Sequence, residues 1–255
     1  MLGLCLMVAG VIHMTYLDAG IIDISVHGYK NTFLEFDTKL SGATYNELDE
    51  NLRKCFEDAY GKSNYVPTRT NYTDLKSGLS RAREQFKRYY GFVPVALTVP
   101  YDSFNEDGYR AAQDAGFKIF SSILAEDPYP SVELVDYSGR KDKNGMYRLP
   151  STGDVSDWDS SKCQWGDVLP LTGPADSLHV SMGAGLKSVI GLAILRIHPQ
   201  AFADVAGNPD PVKLNKLDAI IKYIIENKAI YGPIITFQSW YDYTSKQEPP
   251  QYLQP

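Results

Sequence analysis

Residues 92–121 read FVPVALTVPYDSFNEDGYRAAQDAGFKIFS, and the order of signals in this stretch decides the fold class. Phe92 to Val99 is an almost unbroken apolar run, the pattern of a strand buried on both faces. Pro100 and Tyr101 close it. Ser103 stands three residues before Glu106, the spacing of a capping box. A helix is therefore expected to run to about Ala115, with Gly116 as its stop. Phe117 to Ser121 starts a strand again. Strand, capped helix, glycine and strand in this order make a β–α–β unit, which implies parallel pairing.

The flanks repeat the alternation. Ile21 to Val26 (IIDISV) reads as a short strand that delivers His27 to its end. Leu48, Leu52 and Phe56 mark one helix face over 46–59, stopped by Gly61. Residues 62–76 read as a polar, irregular loop. Leu79, Ala82, Phe86 and Tyr90 mark a second helix face ending at Gly91, with Arg81, Arg83, Lys87 and Arg88 as a solvated basic flank. Residues 125–178 are rich in Asp, Ser, Gly and Pro and read as mostly loop, with short strands near 131–136 and 146–149. Val189 to Ile197 (VIGLAILRI) reads as another buried strand, ending at His198-Pro199. Asp210-Pro211 opens a helix over 211–228, and Gly232-Pro233 breaks it. Ile234 to Phe237 (IITF) reads as the last strand. One domain over 1–243 is expected, with a polar, Pro-rich, flexible tail over 244–255.

Bulk properties narrow the function. With 255 residues and 44% hydrophobic residues, the chain can bury a core without staples. The net charge of −6 and the lack of a compact basic patch speak against nucleic acid. Cys5, Cys55 and Cys163 form no CxxC pair and no disulfide framework. The 18 tyrosines suit sugar faces as well as ordinary packing. Residues 1–12 (MLGLCLMVAGVI) are apolar but too short to span a bilayer, and no positive charge precedes them. They read as a buried first strand into which Met1 cuts abruptly. As it stands the chain reads as cytoplasmic; an upstream signal peptide would place it outside the cell or in the envelope. Met182-Gly183-Ala184-Gly185 is the nearest thing to a phosphate loop, but it follows no strand and lacks the lysine.

Three strand ends carry chemistry-bearing residues: His27 after IIDISV, Pro100-Tyr101 after FVPVALTV, and His198-Pro199 after VIGLAILRI. Polar groups at the C-terminal ends of parallel strands converge on one face. An imidazole there can ligate a divalent metal or move a proton near neutrality. A hydrolytic metal site usually wants three protein ligands and an open position. Asn31 lies four residues beyond His27, and Asn is a poor zinc ligand. Asp23 and His27 share a strand, but four residues of extended chain put them about 13 Å apart. His13 and His179 have no such setting and read as structural.

These residues resemble the polysaccharide deacetylase family, also called the NodB homology domain or carbohydrate esterase family 4. Asp23 to Asn31 (DISVHGYKN) resembles the motif in which a strand is followed by two histidines four apart. Arg83 to Ser122 resembles the helix, Pro-Tyr motif, helix and strand of that family, and is the most specific match. Ile194 to Ala203 (ILRIHPQAFA) resembles the final motif, and Asp157-Trp158 the intervening one. The resemblance covers about 20–240. It implies a distorted (β/α)7-type barrel of α/β class, one that would here lack its first strand if the chain is truncated, and metal-assisted removal of acetyl groups from a carbohydrate polymer. It further implies zinc or a similar divalent metal held through His27 and Asn31, an oxyanion donor at Tyr101, and His198 as general acid. Pro100, Trp158 and Tyr29 would line the glycan site.

Two departures stand against full activity. The family's first motif, a strand ending in paired aspartates, has no counterpart: the sequence holds no Asp-Asp pair. Asn31 stands where the second metal histidine is expected. Three explanations compete: an N-terminally truncated chain, a degenerate relative that binds glycan without cleaving it, or an arrangement in which Asn31, Asp102 or Asp23 takes over. The alternative to an enzyme is a carbohydrate-binding protein on the same scaffold, with Tyr29, Phe104, Trp158, Trp165 and Trp240 as aromatic platforms.

Overall fold

The computed structural model describes residues 25–26, 72–98, 106–121, 146–149, 151–159, 164–187, 191–204 and 208–246. Its first layer is the expected β–α–β unit. Strand β1 (Ala96–Thr98) and strand β2 (Ile119–Ser121) pair in parallel, Ala96 with Ile119, Leu97 with Phe120 and Thr98 with Ser121. Strand β3 (Tyr147–Arg148) adds in parallel beyond β2. On the other side of β1, Val26 forms a parallel bridge with Leu97. The Val26 N–H donates to Ala96 O at 3.2 Å, and its carbonyl accepts from Thr98 N at 2.8 Å. The segment read as the strand before His27 thus reaches the sheet.

Two helices precede and cross over this sheet. Helix α1 (Tyr72–Tyr90) starts inside the stretch expected to be loop. It turns Leu75, Leu79 and Ala82 inward at helical spacing. Gly91, at φ 79°, ends it in the left-handed conformation that a side chain would resist. Helix α2 (Glu106–Asp114) joins β1 to β2 and is closed by Gly116 at φ 93°. Arg83 of α1 donates to Ala115 O and lies over the Phe117 ring, so α1 caps the end of α2. Alternation along the strands splits the core. Leu97 and Phe120 pack with Leu79, Tyr109, Ala112 and Phe117 beneath the helices. Ala96, Ile119, Tyr147 and Leu149 face the opposite way, onto Ile194 and Trp240. Leu97, Ile119 and Phe120 are fully buried, which stabilises by roughly 1.5–3 kcal/mol each relative to exposure.

The second half holds two small sheets. Strand β4 (Gly153–Asp154) pairs in parallel with β7 (Leu195–Arg196), while β5 (Ser156–Asp159) and β6 (Gln164–Val168) are antiparallel. Helix α3 (Ser177–Lys187) packs close by, a 3₁₀ turn spans Pro199–Phe202, and α4 (Pro211–Glu226) and α5 (Lys228–Tyr231) follow. Helix α6 (Phe237–Thr244) closes the described chain. Val155, Leu178, Met182, Phe202, Leu217 and Ile221 form a separate core cluster here. Among the described residues no sheet closes into a barrel, and no helix is long and apolar enough to cross a membrane.

Several expectations are corrected. Residues 72–76 are helical, not loop. Among the described residues, the strand read over 92–99 is ladder only at Ala96–Thr98, and that over 189–197 only at Leu195–Arg196. Ile194, just before that ladder, is half-buried against the cluster of Ala96, Ile119, Tyr147 and Leu149, and periodicity cannot separate such packing from strand pairing. Ile234–Thr236 does not form a strand. Thr236 Oγ1 accepts from Ser239 N at 3.0 Å, and Ser239 Oγ accepts from Thr236 N at 3.0 Å, a reciprocal cap that starts α6 at Phe237. This local cap overrides the β propensity of Ile-Ile-Thr. The short strand expected near 146–149 is β3, while the rest of the stretch expected to be mostly loop over 125–178 also contains β4 to β6 and the start of α3, and Met182–Gly185 lies within α3. The helix start at Asp210-Pro211 is as expected: Asp210 Oδ1 accepts from Val212 N at 2.9 Å and Lys213 N at 3.2 Å. The expected helix at 46–59 and strand at 131–136 lie outside the described residues.

Candidate functional site

His198 leaves β7 two residues after Arg196, and therefore on the same side of the extended chain. Parallel pairing sets Arg196 directly against Asp154 of β4. Arg196 Nε reaches Asp154 Oδ1 at 2.9 Å and its Nη2 reaches Oδ2 at 2.8 Å, a two-point fork that suits a planar carboxylate. The Nδ1 of His198 lies 3.4 Å from the same Oδ1. That is within ion-pair range and longer than an ordinary hydrogen bond. Side-chain exposures of 17% for Arg196, 18% for His198 and 24% for Asp154 put the cluster in a half-buried setting, where charge interactions are stronger than on an open surface.

This arrangement directs one ring nitrogen of His198 toward Asp154 and the other away from it. Nδ1 faces the carboxylate at ion-pair distance without hydrogen-bond geometry, and a carboxylate placed there favours the protonated ring. Asp154 and Arg196 were not among the residues singled out in the sequence. Two signals were available. A lone arginine interrupts the apolar run VIGLAILRI two residues before His198, and an aspartate stands three residues before Asp157.

Trp158, expected to line a glycan site, lies on β5 opposite Trp165 in the antiparallel register and is 42% exposed. His27, Tyr29, Asn31, Pro100 and Tyr101 lie outside the described residues. Their nearest described neighbours are Val26 and Thr98, on adjacent strands, and the Ser25 and Thr98 hydroxyls meet at 2.6 Å. Among the described residues no group of three His, Cys, Asp or Glu side chains could hold a metal. His179, read as structural, joins α3 to α5 through a 2.7 Å hydrogen bond between its Nδ1 and the Tyr231 hydroxyl.

No protein-family model matches the chain, and no curated protein matches it. Among solved structures, it is similar to the crystal structure of a "putative polysaccharide deacetylase from Mycobacterium smegmatis", at 17% identity and a TM-score of 0.45, over 94% of this chain and 69% of that one.

Proposed function

We propose that the chain is a hydrolase of the polysaccharide deacetylase type, removing acetyl groups from a carbohydrate polymer within a distorted (β/α)7-type barrel. The observation that carries this reading is His198, standing within ion-pair distance of Asp154 at the exit of a parallel strand, where the family resemblance expects a general acid. The β–α–β unit with Val26 beside β1 supports it, because it sets the segment before His27 next to the segment before Pro100-Tyr101.

In this reading His198 gives a proton to the departing amine or alcohol, Tyr101 offers its backbone N–H to the oxyanion, and Pro100, Tyr29 and Trp158 hold the sugar. A divalent metal, zinc by preference, would be held through His27 with Asn31 and would supply an activated water. The second reading is a glycan-binding protein without turnover. It is favoured by the lack of paired aspartates and by Asn31 in place of histidine. Acetate release from a chitin or peptidoglycan fragment with added zinc separates the two. Release that His198→Gln reduces by about 10²–10⁴-fold supports the enzyme. Binding of the same fragment without release, and without stoichiometric zinc that His27→Ala removes, refutes it and leaves the binding protein.

A further inference from the structure

Arg196 has a part in this cluster beyond holding two strands together. Its Nε hydrogen-bonds Asp154 Oδ1 at 2.9 Å, whereas the Nδ1 of His198 stands 3.4 Å from the same oxygen without hydrogen-bond geometry. The arginine also takes the second oxygen at 2.8 Å. A guanidinium stays charged across the whole range in which an imidazole titrates. The carboxylate that would otherwise hold a proton on His198 is therefore shared with a permanent cation, and the geometry gives that cation the better grip. Asp154 from β4 and, through it, Arg196 from β7 itself are charged groups that face the ring. The β4–β7 register fixes all three groups relative to one another.

We propose that Arg196 is a positioning residue for His198: it clamps Asp154 and weakens the carboxylate's hold on the ring proton, so that the imidazole can release that proton near neutrality. As a part of catalysis this rests on the reading of His198 as the acid; as a property of the ring it does not.

The test is the titration of the His198 ring, followed by NMR in full-length protein and assigned by its loss in His198→Gln. In Arg196→Gln the ring's proton affinity is expected to rise about tenfold, since an opposing charge nearby moves a pKa by one unit or more. In Asp154→Asn it is expected to fall, and adding Arg196→Gln to Asp154→Asn should then change it by less than about threefold, because the arginine acts through the carboxylate. An unmoved or lowered midpoint in an Arg196→Gln protein with wild-type circular dichroism overturns the proposal. If that variant does not fold, Arg196→Lys keeps the charge but loses the two-point grip. It is expected to raise the affinity by about threefold, and no rise overturns the proposal equally. Where acetate release is measurable, the alkaline limb of its pH profile should move up with the midpoint. A chain that releases no acetate while the midpoint still moves sinks the deacetylase reading alone.

Discussion

Replacing Gly185 by alanine should destabilise the protein, whereas the same change two residues earlier, at Gly183, should stabilise it. Both glycines lie inside α3, where alanine is intrinsically preferred by about 1 kcal/mol. A Cβ at Gly183 meets nothing within 4 Å, so only the helix preference acts. A Cβ at Gly185 would stand 2.5 Å from Leu192 O, 2.6 Å from Thr152 Cγ2 and 3.0 Å from Ala193 Cα. Two of those three atoms are backbone and cannot rotate aside. Forcing a methyl into such a space costs about 1–3 kcal/mol or somewhat more. The helix gain is common to both and cancels, so the two variants should differ by the steric cost, about 1–3 kcal/mol or somewhat more, Gly183→Ala being the more stable. In a chain of this size each kcal/mol moves the melting temperature by about 2–4 °C, so thermal melting resolves the pair. Leu192 and Ala193 lead into β7, so Gly185→Ala should also disturb the His198 ring signals, which Gly183→Ala leaves in place. Equal melting temperatures, or a more stable Gly185→Ala, would show that α3 does not pack this closely on the residues before β7 and would refute the reasoning.

Asp210→Ala removes the acceptor for the Val212 and Lys213 N–H groups at the start of α4 and should cost about 1 kcal/mol in chemical denaturation; no loss would mean the cap is replaced by solvent. Asp167 is held below the ordinary carboxylate range, chiefly by its hydrogen bond from Lys216 and next by the Val168 N–H. Its folded pKa is thus lower than its unfolded one, so its contribution is present above about pH 4 and is lost as pH falls through the folded value. Lys216→Gln should raise the Asp167 midpoint in carboxyl-detected NMR and flatten this acid loss. Because the pair is largely exposed, the change in stability at neutral pH should stay within about 0.5 kcal/mol.

Local signals made much of the fold legible. The apolar run around Leu97, the stop at Gly116 and the Asp210-Pro211 opening each act within a few residues, and each produced the expected element. Ile194 and Ile234–Thr236 were misread because apolar, β-branched residues suit a packed segment or a helix entry as well as a strand. The Asp154–Arg196 fork was illegible for another reason. It joins residues 42 apart through the register of two short strands, and neither motif shows which partner the other will meet. Of the candidate site residues, His198 and Trp158 have described positions, and His198 gained from the structure the partner that gives its ring a direction.

The Ser25–Thr98 contact spans 73 positions of chain, yet it covers the flank of β1 that faces away from β2. Closing so long a span costs about 4 kcal/mol of entropy before any contact repays it. During folding the β–α–β unit can assemble first, leaving Ala96 O and Thr98 N as an open template for any passing strand. Crowded refolding would then favour pairing between molecules over return of the chain's own early segment, so recovery of native protein should depend on dilution.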